Sequence, residues 1–504
     1  MSACFLGLDI GTSSVKALLV DREGRVVASA SAPLTLGAPR PGWAEQDPEA
    51  WWATTGPVIR ELLRQAPAIT VAAVGITGQM HSSVFLDHTG TVIRPALLWC
   101  DARTDAECQQ ITQRAGGEDR LRALTANAAF AGFTLPKILW LRNHEPDAFA
   151  RLARVLIPKD YIRYRLTGEM ATEPSDASGT LLFDTARGRW SAEMFSAMDL
   201  PPSIMPEVGR SAAVLGRVTG EAAHATGLVA GTPVVGGGGD NACGAAGAGV
   251  LRPGSAVATW GTSGTVIAPT DAPRVDPRSR VHTFCHVAPD TWYQIGVVLS
   301  AGAAFAWLRD QFAREYATPG EATQALVSAA ARIPPGAEGL LFLPYLQGER
   351  SPHRNPALRG ALLGLSLAHT RAHVTRAVIE GGALALAECL DVLRELGCTP
   401  GEMLLTGGGV RDPLLRQVLA AVFDLPVRLT THDEGPAFGA ALLAAVGSGA
   451  FPDLGAAVAA GVALRPRELP EPQTREAYRA LMRRFQAAGR QQQRERMEPG
   501  LADA

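Results

Sequence analysis

Short apolar runs separated by tight polar turns open the chain. Residues 4–10 are apolar apart from Asp9, Gly11-Thr12-Ser13-Ser14 forms a turn, and residues 15–20 are apolar again. Asp21-Arg22-Glu23-Gly24 then turns into a third run at residues 25–30. The pattern predicts a three-stranded meander. Asp47 followed by Pro48 predicts a helix N-cap with proline in the first turn, and the helix carries Trp51, Trp52 and residues 59–63. The continuous apolar run at residues 71–76 fits a buried parallel strand. It ends in Thr77-Gly78-Gln79-Met80-His81-Ser82-Ser83, polar groups at the carboxyl end of a buried strand, where open α/β sheets bind ligands. Residues 97–101, with Trp99 and Cys100, repeat that logic and end in Asp101. Residues 132–144 predict a loop and then an amphipathic helix with Lys137 at its start.

The second half begins again in the same way. Residues 256–260 predict a strand, Gly261-Thr262-Ser263-Gly264 a turn, and residues 265–268 a strand. Two hairpins with one Gly-Thr-Ser turn each predict two similar domains, residues 1–249 and 250–504. Residues 295–299 predict a strand leading through Gly302 into a helix. Residues 340–343 lead into the polar loop Pro344-Tyr345-Leu346-Gln347-Gly348-Glu349-Arg350. A long helix is expected from near His369. Residues 403–405 predict a strand, Thr406-Gly407-Gly408-Gly409-Val410 a glycine-rich turn, and residues 413–422 a helix, an order that can hold a nucleotide against main-chain atoms. The Ala/Gly-rich tract at 439–464 is broken by Pro452 and Asp453 and predicts helices that pack closely. Beyond Arg465 the chain is rich in proline and charge, and fraying is expected around a Gln/Arg-rich helix near Arg490.

Composition narrows the function classes. A chain of 504 residues has room for two to four domains. Its formal net charge of -2 gives no reason to expect nucleic acid or an anionic membrane as partner. Seven scattered cysteines without a CxxC pair argue against a disulfide framework and a zinc site. With no apolar leader or spanning segment evident, the expected location is the cytoplasm. Only Lys16, Lys137 and Lys159 are lysine; the other basic residues are arginine.

The chemistry centres on Val234-Val235 followed by Gly236 to Gly239, Asp240, Asn241 and a Gly/Ala tract to Gly249. Four glycines forgo side-chain packing and let another body approach the main chain. Asp240 at their end reads either as an ordinary turn aspartate or as a catalytic base on a loop at the mouth of a cleft. Asp9 beside the first Gly-Thr-Ser turn joins an acid to main-chain N–H groups and hydroxyls, a set suited to phosphate and Mg²⁺. Gln79 and His81 can hydrogen-bond a polyol.

In this order the segments resemble the FGGY carbohydrate kinases over residues 5–480. The segment 132–144, with Lys137-Ile138-Leu139-Trp140, matches one family signature, and 360–380 matches the other. Gly78-Gln79-Met80-His81, Trp43-Ala44-Glu45-Gln46-Asp47-Pro48 and Pro158-Lys159-Asp160-Tyr161 are similar to the branch acting on D-xylulose. Glycerol-specific members usually carry an Arg-Glu pair where this chain has Met80-His81.

The resemblance implies an α/β fold of two actin-like, ribonuclease-H-like domains around a central catalytic cleft. It implies sugar in the first domain, ATP mainly on the second, and Mg²⁺. Asp240 becomes the catalytic base, and Asp9 the catalytic acid that holds the metal. Met80, His81, Asp240, Asn241 and Asp101 become sugar contacts. Thr12, Ser13, Gly261, Thr262, Gly302, Gly408 and Gly409 border ATP. A homodimer is plausible for the family. Ser82 and Cys100 depart from the glycine and asparagine common in that branch, and both flank the expected sugar contacts. The competing readings are a kinase for ribulose, gluconate or another polyol, a non-catalytic sugar sensor on the same frame, and an actin-like ATPase.

Overall fold

The computed structural model describes residues 2–432 and 434–497. A seven-stranded sheet forms from β1 (Ser2–Ile10), β2 (Ser14–Val20), β3 (Val26–Pro33), β4 (Ile69–Gly78), β5 (Val214–Arg217), β6 (Pro233–Val235) and β7 (Gly238–Gly239). Their order is β5-β6-β4-β1-β2-β3, with β7 also beside β4. The first three strands are an antiparallel meander; β4 is parallel to β1, and β6 and β7 are parallel to β4.

A six-stranded sheet repeats the wiring. It contains β8 (Ser255–Trp260), β9 (Gly264–Thr270), β10 (His282–Cys285), β11 (Trp292–Val298), β12 (Glu402–Thr406) and β13 (Val427–Leu429), ordered β10-β11-β9-β8-β12-β13. Again an antiparallel hairpin is followed by parallel neighbours, β12 against β8 and β13 against β12. The two Gly-Thr-Ser turns occupy the same hairpin tip in each sheet. The first lies between the paired residues Ile10 and Val15, the second between Trp260 and Gly264, so the first is one residue longer.

Helix α1 (Pro48–Gln65) starts as expected: the Asp47 side chain accepts the Glu49 N–H, and Trp51, Ile59 and Leu62 are buried. Helix α2 (Thr134–His144) departs from expectation. It is buried continuously from Thr134 to Leu141 rather than amphipathic. Helix α3 (Pro158–Thr167) lies against β4, and α4 (Asp240–Gly247) follows the four glycines directly. In the second lobe, α5 (Gly302–Phe312) and α6 (Arg371–Glu395) pack together, α7 (Pro413–Phe423) lies on the other side of α6, and α8 (Pro436–Gly447) follows β13.

The chain end also differs from the frayed segment expected. Residues 472–497 form one helix, α9 (Pro472–Met497). Tyr478, Leu481 and Phe485 are buried on one face, and the Tyr478 hydroxyl donates to Glu380 at 2.7 Å. Three large apolar groups at helical spacing anchor a segment whose mean composition is polar. Residues 498–504 of the expected tail lie outside the described residues.

Helix α8 comes from the second half of the chain yet packs on β1 and β4 of the first sheet and on α4. Missing side chains make this possible. A Cβ on Gly7 would stand 1.9 Å from the Ala437 carbonyl oxygen, and one on Gly75 would stand 1.9 Å from that of Ala440. A Cβ on Gly439 would stand 1.9 Å from the Cys243 carbonyl oxygen of α4. Main chain thus touches main chain where the two lobes join.

A buried ionic cluster supports the glycine loop from below. Lys159 Nζ lies 2.7 Å from Asp160, 3.1 Å from Asp176 and 3.6 Å from Glu173, and none of the four side chains is exposed. Arg163 donates to Asp160 at 2.7 Å and to the Gly236 carbonyl at 2.9 Å. Ser175 donates to Glu173 at 2.7 Å and accepts the Gly239 N–H at 2.9 Å. The cluster grips the loop at its first and last glycine.

Two outcomes follow from these contacts. Gly75→Ala loses about 1–3 kcal/mol of stability, because the atom it meets belongs to a helix backbone that cannot turn aside; urea denaturation measures it. Lys159→Met loses about 3–5 kcal/mol, since Glu173 and Asp176 then lose the cation that faces them while Arg163 pairs with Asp160, and the same denaturation curve reads the loss.

Candidate active site

Asp240 is the first residue of α4, with Gly239 as N-cap, rather than the tip of an open loop. Strand β7 pairs Gly238-Gly239 with Thr77-Gly78, which fixes the direction in which α4 begins. The Asp240 Oδ1 accepts the Asn241 main-chain N–H at 2.7 Å and the Asn241 side-chain amide at 2.9 Å. No described residue bonds to Oδ2. Burial and the negative charge of Asp9 push the Asp240 carboxyl up to about 7, against the pull of the Asn241 N–H. Asp9 is the last polar residue of β1, paired in register with Lys16. Burial raises its carboxyl to about 6, while Lys16 acts the other way, and Oδ1 is buried without a hydrogen-bond partner. Lys16 donates to the Glu434 carboxylate at 2.7 Å, which ties the first hairpin to the loop before α8.

Two cavities meet at Asp240. The smaller, about 140 Å³, is lined by Met80, His81, Trp99, Asp240, Asn241 and residues of the second lobe. The larger, about 340 Å³, is lined by Asp240 and Asn241 together with Gly261, Ser263, Gly407 and Glu434. Asp240, Asn241, Ser263 and Thr265 face both.

Met80 and His81 are fixed before any ligand arrives. The Met80 sulfur accepts from the Asn241 amide at 3.5 Å and from the Tyr293 hydroxyl at 3.7 Å. His81 has φ 66°, a left-handed conformation uncommon outside glycine. Its carbonyl accepts from Thr134 and Lys137, each at 3.0 Å, so the start of α2 clamps the turn. Burial pushes the Lys137 ammonium down to about 7. The His81 Nδ1 lies 2.9 Å from the Gly179 carbonyl. A carbonyl only accepts, so Nδ1 carries the proton and Nε2 keeps a lone pair. Burial, with Arg350 and Lys137 nearby, holds His81 well below the usual histidine range and therefore neutral.

Several sequence-derived site residues serve the frame instead. Trp99 Nε1 donates to the Thr12 hydroxyl at 2.9 Å, and that hydroxyl lies 3.4 Å from Gln79 Oε1. Gln46 donates to the Thr12 carbonyl at 2.7 Å. Ser82 is fully buried; it donates to Gln79 at 3.1 Å and accepts the Trp99 N–H at 3.0 Å. Its hydroxyl therefore stiffens the wall. Cys100 is exposed. Asp101 is buried with both oxygens engaged, by the Ala44 N–H at 2.6 Å and by Arg103 Nη2 at 2.7 Å and its N–H at 3.0 Å. Asp101 thus holds the loop at Ala44 and leaves no oxygen for a ligand. Ser13 is exposed at the first hairpin tip.

On the second lobe, the Gly261 carbonyl accepts the Gly302 N–H at 3.0 Å, and the Thr262 carbonyl accepts the Ala303 N–H at 2.9 Å. The second Gly-Thr-Ser turn is thereby seated on the start of α5. Gly408 and Gly409 border a third cavity of about 400 Å³ with Trp260, Phe305 and Ile379, a mainly apolar slot. A Cβ on Gly408 would meet nothing within 4 Å, whereas one on Gly409 would strike Trp260 at 2.2 Å.

Sequence reasoning missed the second-lobe side of the small cavity. His282, Phe284, Ile295, Val297 and Arg350 line it. Only the polar loop ending in Arg350 carried a signal; His282 and Phe284 lie in an unremarkable strand.

The chain matches the FGGY family of carbohydrate kinases, N-terminal domain, over residues 4–247, and the C-terminal domain over residues 256–448. It is 41% identical to the xylulose kinase of Escherichia coli (strain K12), over 88% of this chain and 90% of the relative. It is 40% identical to the xylulose kinase of Bacillus subtilis (strain 168), over 89% of each. The solved xylulose kinase of Rhodospirillum rubrum superposes with a TM-score of 0.90 at 34% identity, covering 98% of this chain and 100% of that one. With two sheets of the same wiring, a cleft between them and both family domains matched in order, the chain belongs to the FGGY family of carbohydrate kinases.

Proposed function

We propose that the protein transfers the γ-phosphoryl group of ATP to the terminal hydroxyl of D-xylulose, giving D-xylulose 5-phosphate. The carrying observation is that one carboxylate, Asp240, faces both a small polar cavity and a larger glycine-lined one. The small cavity suits a sugar. His81 Nε2 and Asp240 accept from hydroxyl groups, Asn241 orients Asp240, and Met80 supplies an apolar floor. The larger cavity and the adjoining apolar slot suit a triphosphate and a purine, with Gly261 and Thr262 near the phosphates and Gly302, Gly408 and Gly409 along the nucleotide. Ser13 at the first hairpin tip faces the transferred group, while Thr12 holds that tip through Trp99.

A primary hydroxyl attacks the phosphorus poorly while it keeps its proton. Asp240 Oδ2 takes that proton as the new O–P bond forms and the bond to the β-phosphate oxygen breaks. A positioned base contributes about 10²–10⁴-fold. A carboxyl near 7 matches that task better than an ordinary aspartate, because a stronger base draws the proton further at neutral pH. Asp9 fits Mg²⁺: a hard oxygen without a hydrogen-bond partner, close enough to Asp240 to couple electrostatically. Asp9 would hold the ion together with water and phosphate, since Mg²⁺ is commonly bound through one or two carboxylates. When bound, Mg²⁺ supplies charge neutralisation of the phosphate oxygens.

Asp240→Asn keeps the shape and removes the base. It lowers kcat for D-xylulose by about 10²–10⁴-fold while ATP affinity changes little. A coupled ADP-release assay with a panel of D-xylulose, ribulose, gluconate and other polyols reads both turnover and sugar choice. Turnover within tenfold of wild type would remove Asp240 from the role, and a stronger response to another sugar would reassign the substrate.

Asp240 must be ionised to act, so kcat/KM rises with pH along a limb governed by a group near 7 and then levels off. The same shift has the opposite sign for stability. The unfolded carboxyl titrates near 3.8 and the folded one near 7, so folding is disfavoured increasingly as pH rises between those values. Asp240→Asn therefore raises the melting temperature of the ligand-free protein by a few degrees at pH 8, with a gain that shrinks as pH falls toward 4. Thermal melts across that range check it.

A further inference from the structure

Arg350 stands apart from the other buried arginines of the described residues. Arg103 pairs with Asp101 and Glu45, Arg163 with Asp160, and Arg376 with Glu380. No carboxylate among the described residues pairs with Arg350, and its side chain lines the small cavity from the second lobe. It is aimed with care. Its Nε donates to His282 Nε2 at 2.8 Å. The opposite His282 nitrogen, Nδ1, lies 3.3 Å from Asn127 Oδ1, and Asn127 is itself fixed by donating to the Thr283 carbonyl at 2.8 Å. The Asn127 oxygen accepts, so Nδ1 carries the proton and Nε2 is free to receive Arg350. The guanidinium rests over Phe130 and Phe133, 5.5 and 5.7 Å from their centroids. Burial lowers it to about 10, which leaves it charged at neutral pH.

The other polar walls of the cavity offer mainly acceptors. His81 Nε2 and Asp240 Oδ2 match hydroxyl groups. Of the remaining donors, the Asn241 amide is engaged on Asp240 and Met80 and Trp99 Nε1 on Thr12. The Ser263 and Thr265 hydroxyls also line the cavity but are uncharged and can equally accept, which leaves Arg350 as its one charged donor among the described residues. A carbonyl oxygen has no proton to give and needs a donor. We propose that Arg350 is the specificity-determining residue that donates to the carbonyl oxygen of an open-chain ketose, so that the cavity selects a ketose over the matching alditol. This rests on the sugar-kinase reading of the same cavity. It also means that the lobe carrying ATP contributes directly to sugar recognition.

The test compares wild type, Arg350→Met and Arg350→Lys on D-xylulose and on its two alditols, xylitol and D-arabinitol, as substrates or as competitive inhibitors. Arg350→Met lowers kcat/KM for D-xylulose by about 10- to 100-fold, the worth of a hydrogen bond from a charged donor. The alditols change by less than about fivefold, so the ketose-to-alditol ratio collapses. Arg350→Lys, which keeps a charged donor and the aromatic contact, gives an intermediate ratio and serves if the methionine variant does not fold. Parallel losses for ketose and alditols, or an unchanged ratio, would overturn the assignment. If wild type itself ignores D-xylulose, the proposed substrate fails instead, and the two failures are distinct.

Discussion

Two carboxyl groups share a partly closed space at the base of the cleft, and they repel. Asp9 lies next to the end of β1 and Asp240 begins α4; Lys16 opposes the charge of Asp9 and is itself bonded to Glu434 across the lobes. Water would relieve such a pair; burial does not. The cost appears as raised proton affinity at both positions. An arrangement of this kind persists only where surrounding structure fixes it. Here the fixing elements are plain: the parallel pairing of Gly238-Gly239 with β4, the ionic cluster around Lys159 and the clamp of α2 on the His81 carbonyl. Ligand-free strain becomes useful when phosphate and cation arrive, since a site already arranged for charge needs little rearrangement.

The three lysines divide this labour. Lys16 joins the first hairpin to the loop before α8, Lys137 holds the turn at His81, and Lys159 faces the acids beneath the glycine loop. Lys137 and Lys159 are fully buried, and Lys16 is partly buried. In a chain whose remaining basic residues are arginine, the compact ammonium sits where several oxygens converge on one point, a geometry the planar guanidinium fork serves less well.

Much of the frame was legible in the chain. The meander, the Asp47 cap, the buried strand before Gln79 and the two Gly-Thr-Ser turns all follow from local pattern, because each is decided by neighbours in sequence. The packing of α8 on the first sheet was not, since Gly7 and Gly75 look like ordinary strand residues until the carbonyls of Ala437 and Ala440 are brought against them. The docked terminal helix was hidden by its charge, which outweighs the three residues that anchor it. Thr12 and Asp101 mark the same limit within the site. Their chemistry suits a ligand contact, but Trp99 reaches Thr12 and the Ala44 N–H reaches Asp101 from elsewhere in the fold, while Arg103 closes on Asp101 from two residues away. A residue type states what a group can bind; only the fold states what is left unbound.

That distinction also governs the cleft. Asp240 Oδ2, Asp9 Oδ1, His81 Nε2 and the outer nitrogens of Arg350 have no hydrogen-bond partner among the described residues. Three belong to the first lobe and one to the second. A ligand that satisfies all four must therefore touch both lobes at once, so its binding energy acts on the angle between them as well as on its own affinity. Closure driven by the sugar would in turn exclude water from the larger cavity before the phosphate bond is at risk, which is the order a kinase needs to avoid spending ATP on hydrolysis.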